Sequence, residues 1–222
     1  SSLKLINMKK NKGHARCNAF GIRYLAKSND FDYLIVMDGD GEDRPEEIKV
    51  LVEKIFSDPN NSVVAKRIKR SEGAFFQFLY QLHKIITMIF TGKNINFGNY
   101  SCLTKNDIKI LSGKHSLWSS FSGSVKKHIL NLNSVNSVRG LRYFGPSKMS
   151  LFKLIVHSFA IMAVFKKTVF LRSAILIIIL SYLSFKTSLI SITFQVLLVI
   201  FNLLIYTVSL RENETEFLNS EV

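Results

Sequence analysis

The 222-residue sequence predicts an α/β domain on a mostly parallel sheet, followed by a hairpin of two transmembrane helices. Three observations carry this. Short apolar runs alternate with helix-period segments through the first 65 residues, the pattern of strand–helix–strand units. Residues 189–210 run for 22 positions without a charge. The net charge of +14 sits at the front: residues 1–167 hold 27 Lys and Arg against 12 Asp and Glu, whereas residues 168–222 hold only Arg172, Lys186 and Arg211 against four Glu. A 47% apolar content excludes a disordered chain. A basic body joined to a nearly uncharged tail is the layout of a membrane-anchored protein.

Taken in order, Leu3 to Asn7 reads as a short strand, and the recurrence of Ala15, Ala19, Ile22 and Ala26 after Gly13 predicts a helix to about Lys27. Tyr33–Met37 is a continuous apolar run, expected of a strand covered on both faces. Asp43, with Pro45 and Glu46 behind it, is expected to cap a helix whose core stripe is Ile48, Leu51, Val52 and Ile55. Val63–Ala65 is the next strand. Cys17 and Cys102 have no metal-ligand spacing and read as buried thiols of a reduced compartment. The five histidines do not cluster, and Trp118 with Phe121, Ser122 and Gly123 reads as a packed loop, with lining of a binding site as the alternative.

About 20 apolar residues span a bilayer, so 189–210 is expected to cross one, and 168–185, broken only by Arg172, to cross it first with that guanidinium reaching the head groups. Lys166, Lys167 and Arg172 outweigh Lys186, which puts the body and the tail on the cytoplasmic side of the inner membrane. Residues 149–165 are apolar with sparse polar positions and are expected to lie in the membrane interface; residues 74–90 suit that place or a core equally. The expected domains are a basic α/β body (1–148), an interfacial amphipathic helix (149–167), two transmembrane helices (168–210) and a solvated cytoplasmic tail (211–222). Whether protomers form a homo-oligomer through the membrane helices stays open.

Four carboxylates follow the Tyr33–Met37 strand within Asp38-Gly39-Asp40-Gly41-Glu42-Asp43. In open α/β sheets ligands bind beyond the carboxyl ends of strands, and in extended backbone Asp38 and Asp40 point the same way. Such hard oxygen ligands suit Mg²⁺ or Mn²⁺ bridging a diphosphate. Lys66, Arg67, Lys69 and Arg70 follow the next strand, and Arg67 and Arg70 have the paired donors to grip phosphate oxygens. Arg142 and Lys148, just before the interfacial segment, would sit at head-group height and hold a lipid phosphate. The positive charge would also suit nucleic acid, but no nucleic-acid motif is present.

Asn11-x-Gly13-x-Ala15 before a helix, a strand ending in Asp38-x-Asp40 with Pro45-Glu46-Glu47 behind it, Arg67-x-x-Arg70, and Arg142-x-x-Gly145-x-Ser147-Lys148 ahead of membrane helices resemble, over residues 3 to about 160, the family 2 glycosyltransferases. Within them the order of motifs is most similar to the polyprenyl-phosphate hexosyltransferases. The resemblance implies a GT-A fold entered at the third strand, an N-terminally truncated form of the family's domain. It implies a nucleotide-sugar donor (UDP- or GDP-linked) bound by Asn11, Gly13, Asp38 and Asp40, and a divalent metal on Asp38, Asp40 and Glu42. Catalysis would fall to Asp40, Arg67 and Arg70, and a polyprenyl-phosphate acceptor would be held by Arg142, Ser147 and Lys148. The family's glycine–aspartate–arginine segment is matched by Phe97-Gly98-Asn99-Tyr100-Ser101, with Asn99 for the acid and Ser101 for the arginine. Transfer to a lipid-linked saccharide and an inactive lipid-binding protein are the alternatives.

Overall fold

The computed structural model describes residues 3–28, 30–69, 74–145, 150–183 and 188–219. The described elements run α1 (His14–Lys27), β1 (Tyr33–Val36), α2 (Ile48–Ser57), β2 (Ser62–Lys69), α3 (Ala74–Thr91), β3 (Phe97–Thr104), α4 (Lys105–Ser112), α5 (Phe121–His128), β4 (Leu132–Val138), α6 (Leu151–Ala163), α7 (Lys166–Leu183), α8 (Ser188–Ser209) and α9 (Glu214–Leu218). Leu3–Asn7 is not a strand: Leu3 and Leu5 are exposed, because no described strand lies beside them to accept pairing.

The four described strands form one sheet in the order β1-β3-β2-β4. β3 runs antiparallel to both β1 and β2, with Ile35 opposite Cys102 and Cys102 opposite Val63, while β2 and β4 are parallel. The expected parallel sheet is therefore mixed. β1, β2 and β4 do share a direction, but β3 comes from beyond residue 90 and inserts between β1 and β2, so neighbouring runs in sequence are not neighbours in the sheet.

Alternation along each strand divides two cores. Val64 and Leu103 join Leu34 and Val36 on the face packed by α1, α4, α5 and α6. Val63, Ala65, Tyr100 and Cys102 join Tyr33 and Ile35 on the face packed by Leu51 and Ile55 of α2. Both faces of β1 are covered, as its unbroken apolar run requires. It is nevertheless only half-buried, since no described strand pairs with its outer edge. Cys102 is buried, whereas Cys17 is on the exposed side of α1, against expectation.

Two apolar segments divide between core and surface. The second half of α6, Ala160–Ala163, is buried, while Leu151, Phe152 and Ile155 at its start are exposed. In α3, Thr87 and Thr91 are buried and Ile86 and Phe90 pack on the core, but Phe78, Leu82, Ile85, Met88 and Ile89 are exposed. Arg172 does not reach outward. Its guanidinium donates to the carbonyls of Met88 (3.4 Å) and Ile89 (2.6 Å), closing the C-terminus of α3, where unpaired carbonyls concentrate. Gly92, at φ 69°, ends α3 with its N–H on the Met88 carbonyl, and a β-carbon there would lie 2.6 Å from Arg172 Nη2. Arg172→Leu removes this cap and is expected to lower the unfolding midpoint by an amount corresponding to about 1–2 kcal/mol, as lost charge-assisted bonds do; thermal denaturation of the detergent-solubilised chain measures it.

Among the described helices one, beginning at Leu189, is long and apolar enough to cross a membrane, and only 11% of its most apolar window is buried. A core helix would be mostly buried. α7 carries Lys166, Lys167 and Arg172 and does not meet the same measure, so the expected hairpin reduces to one such helix. The two still touch, Ser191 Oγ donating to the Leu180 carbonyl at 2.9 Å; the expected turn at 186–188 lies partly outside the described residues. The tail, expected to be solvated, turns back instead: Phe217 is 1% exposed and sits in the core beside Trp118.

Candidate active site

A cavity of about 1000 Å³ opens where the end of β1, the start of α1, β2, β3 and the segment after β4 converge, with α6 along one side. Seven Lys and Arg side chains and three carboxylates line it. The carboxylates are Asp38, Asp40 and Glu42. An excess of cations around a cluster of acids suits a ligand carrying several negative charges together with a cation.

The acidic loop is held by its own backbone. Asp38 N–H donates to Asp43 Oδ2 (2.9 Å) and Glu42 N–H to Asp40 Oδ1 (3.1 Å). Asp43 does not cap α2, as the sequence suggested; it is 3% exposed, folded under the loop, with Arg67 Nη2 at 3.7 Å. Burial pushes the Asp43 carboxyl up, reinforced by the negative charge of Asp38, against the pull of that backbone bond and of Arg67. Gly41, at φ 91°, has the Tyr143 ring against it, so a side chain there would be strained and blocked.

Asp38 is the best-partnered acid. His14 Nε2 lies 2.9 Å from its Oδ1 and Asn99 Nδ2 donates to the same oxygen at 3.1 Å. Burial pushes Asp38 upward, but His14, Asn99 and Arg67 together outweigh it and hold the carboxyl below its ordinary value. Reciprocally, the Asp38 bond raises His14 above its ordinary pKa, despite partial burial. Gly13, at φ 84°, opens α1 and brings His14 here as the first helical residue. Asn11 Oδ1 accepts the Gly13 N–H at 3.0 Å, so Asn11 shapes the turn and does not itself line the cavity.

Asn99 explains its own presence in the Phe97–Ser101 segment. An acid at this place would meet Asp38 with like charge, whereas the amide donates to it. Gly98 makes room for Arg67: a β-carbon there would come within 2.9 Å of Arg67 Nη2. Arg67, 19% exposed, thus lies flat along β3 with its head on the cavity wall.

The segment after β4 clasps the acidic loop. Gly140 N–H donates to the Glu42 carbonyl and Tyr143 N–H to the Asp40 carbonyl, both at 2.9 Å. Around these bonds Arg142 pairs with Asp40 (3.2 Å) and Glu42 (2.9 Å), and Arg139 pairs with Glu42. Glu42, expected as a metal ligand, thus has two arginine partners, and Arg142, expected to hold a lipid phosphate, has two acid partners.

Among the described residues no group of three His, Cys, Asp or Glu has metal-holding geometry. Of the three cavity acids, Asp38 and Asp40 are the pair not held by two arginines, and they offer hard oxygens of the kind that hold Mg²⁺ or Mn²⁺ when phosphates and water complete the shell. Asp38, Asp40, Arg67, Arg142 and Gly13, all drawn from sequence, meet in one cavity; Arg70, Ser147 and Lys148 lie outside the described residues. Sequence reading missed His14, Arg139, His157, Lys12, Arg16 and Arg211, which also line it. Only Arg139, directly after a strand, and His14, directly after the Gly13 turn, stood at positions that could have singled them out.

A search of curated proteins found no match. The family model described as "Glycosyl transferase family 2" matches residues 1–119, more than half of the chain and the stretch that supplies the acidic loop, Arg67 and Asn99. The chain belongs to glycosyl transferase family 2.

Proposed function

We propose that this glycosyltransferase moves a hexose from a UDP- or GDP-linked donor to a polyprenyl phosphate at the cytoplasmic face of a membrane. The observation that carries the reading is the single cavity in which Asp38 and Asp40 face Arg67 amid an excess of cations. A divalent cation on Asp38 and Asp40 would neutralise the diphosphate of the donor. His14 and Asn99 hold Asp38 ionised and oriented for that task. Arg67 supplies fixed positive charge where the diphosphate leaves, a preorganised group that need not move during reaction. An oxygen of the acceptor phosphate attacks the anomeric carbon as its bond to the diphosphate breaks. Because that oxygen is already anionic near neutral pH, no side chain has to remove a proton, which fits a site with Asn at position 99.

Membrane supply of the acceptor is supported by the surface. The exposed apolar side chains of α3 and of the start of α6 lie on elements that pack with α7 and α8. In the proposed arrangement α7 joins α8 as a second span and both helices hold the GT-A-type domain against the bilayer.

The test is sugar transfer from UDP-glucose and from GDP-mannose to polyprenyl phosphate in lipid vesicles, with Mn²⁺ and with chelator. Transfer to a lipid-linked saccharide in place of the phosphate would move the assignment to that acceptor; no transfer from either donor would refute it. Arg67→Gln is expected to slow transfer by about 10- to 30-fold, the scale of one charge-assisted contact, and to lower the unfolding midpoint as well, because the buried Asp43 carboxylate loses the cation beside it.

A further inference from the structure

We infer that Glu216, beyond the last membrane helix, is a positioning residue for the donor side of the cavity. The inference rests on the donor reading above. Three groups converge on its carboxylate: Lys12 Nζ at 2.5 Å from Oε1, and Arg16 Nη2 at 3.6 Å and Trp118 Nε1 at 3.2 Å from Oε2. All three line the cavity. Lys12 stands inside the Asn11–Gly13 turn, so fixing it fixes the backbone that delivers His14 to Asp38. Arg16 also lies over the Trp118 ring, 5.5 Å from its centroid, which makes one unit of the carboxylate, the guanidinium and the indole.

The tail that carries Glu216 is built into the fold and does not rest on it as a removable cover. Phe217 is 1% exposed, edge-on to Trp118 at 6.0 Å, with Arg23 4.5 Å over its ring. Arg23 also donates to the carbonyls of Phe217 and Leu218. Asn213 caps α9 by accepting the Glu216 N–H at 2.8 Å. One turn earlier the side chain of Glu212, 3% exposed, lies 3.7 Å from Lys166 and 3.9 Å from His115. Withdrawing Glu216 would mean exposing a buried aromatic residue and breaking these bonds. A carboxylate held so firmly orients the cations around it and does not compete with a ligand for them. The Lys12 bond, followed by that of Trp118, holds the Glu216 carboxyl below its ordinary pKa, so it stays ionised across the working range.

The chain has a single tryptophan, Trp118, which reports on this wall directly. The full chain in detergent micelles is titrated with UDP, and separately with GDP, in the presence of Mn²⁺, following Trp118 emission for wild type, Glu216→Gln and Glu216→Asp. Glu216→Gln is expected to shift the midpoint for the effective nucleotide about tenfold upward and to raise the donor KM by the same factor, with kcat within about twofold, the signature of lost uniform binding. Glu216→Asp, which keeps the charge, recovers part of that loss; a merely structural side chain would show no such recovery. If the wild type responds and Glu216→Gln responds with the same midpoint or a lower one, this inference falls and the donor reading stands. If the wild type responds to neither nucleotide, both fall. Should Glu216→Gln fail to fold, Lys12→Gln breaks the same contact from the other partner, and an unchanged midpoint there overturns the inference equally.

Discussion

Asp38→Asn lowers sugar transfer about a thousandfold while the chain folds normally, the scale expected when a site loses the charge that holds a metal-bound leaving group. The substitution is isosteric and removes one negative charge. Asp38 keeps that charge below the ordinary carboxylate range because His14, Asn99 and Arg67 all favour the ionised form against the cost of burial. With an amide in its place, a divalent cation held there would lose one of two carboxylate charges, and His14 loses its ion-pair partner at 2.9 Å. Asp40→Asn is expected to be milder, by about tenfold, because Asp40 shares its charge with Arg142 at 3.2 Å and an amide oxygen can still accept the Glu42 N–H. Steady-state transfer at saturating Mn²⁺, with circular dichroism as the control for folding, checks both. Equal rates for wild type and Asp38→Asn would remove the metal role from this loop.

What was legible in the sequence was whatever depends on local pattern. The spacing of Ala19 and Ile22 marked the buried face of α1, and Leu51 and Ile55 that of α2. The strand-end position of Asp38 and Asp40 placed them at the cavity, since the end of a buried strand fixes where its next residues emerge. Arg67 followed for the same reason. What was not legible depends on contacts between distant segments. Nothing near position 99 shows that its amide will meet Asp38, 61 residues away. Nothing near Glu42 shows that two arginines from beyond β4 will pair with it. Strand order is of the same kind: β3 enters between β1 and β2 because its Cys102 and Leu103 side chains complete the two opposite cores, a fact of packing with no signature in the strand itself. Arg172 illustrates the cost of treating segments one at a time. Read along the chain it is a charge near the end of a span; in the fold it closes α3.

The tail makes the same point more sharply. Its polar composition, with Asn213, Glu214 and Glu216, suggested a solvated end. One aromatic residue, Phe217, was enough to anchor it, because the core offered a Trp118 edge and an Arg23 face. Once anchored, the neighbouring acid had no choice but to meet the cations of the cavity wall. A sequence of low apolar content can thus acquire a fixed place from a single buried ring, provided its backbone polar groups find partners, as those of Phe217 and Leu218 do in Arg23.

Gly140→Ala is expected to disable the enzyme through backbone geometry alone. Gly140 donates its N–H to the Glu42 carbonyl, and a β-carbon at 140 would overlap the carbonyl oxygen of Gly41, an atom of the main chain that no rotamer change can move aside. The segment 139–143 must then lift from the acidic loop. Arg139 and Arg142 lift with it, so Glu42 loses the cations that compensate it and Asp40 loses its neighbour. Leaving a largely buried carboxylate uncompensated costs about 3 kcal/mol or more, and displaced loading groups cost transfer roughly a hundredfold. Gly39→Ala is the matched control: it lies in the same loop, has no protein atom within 4 Å of its would-be β-carbon, and is expected to leave stability unchanged and transfer far less affected. Thermal melts and steady-state rates of the two variants, side by side, separate close approach of the two segments from mere sensitivity of the loop to any added methyl. If Gly140→Ala is as active as Gly39→Ala, the clasp has no part in shaping the site.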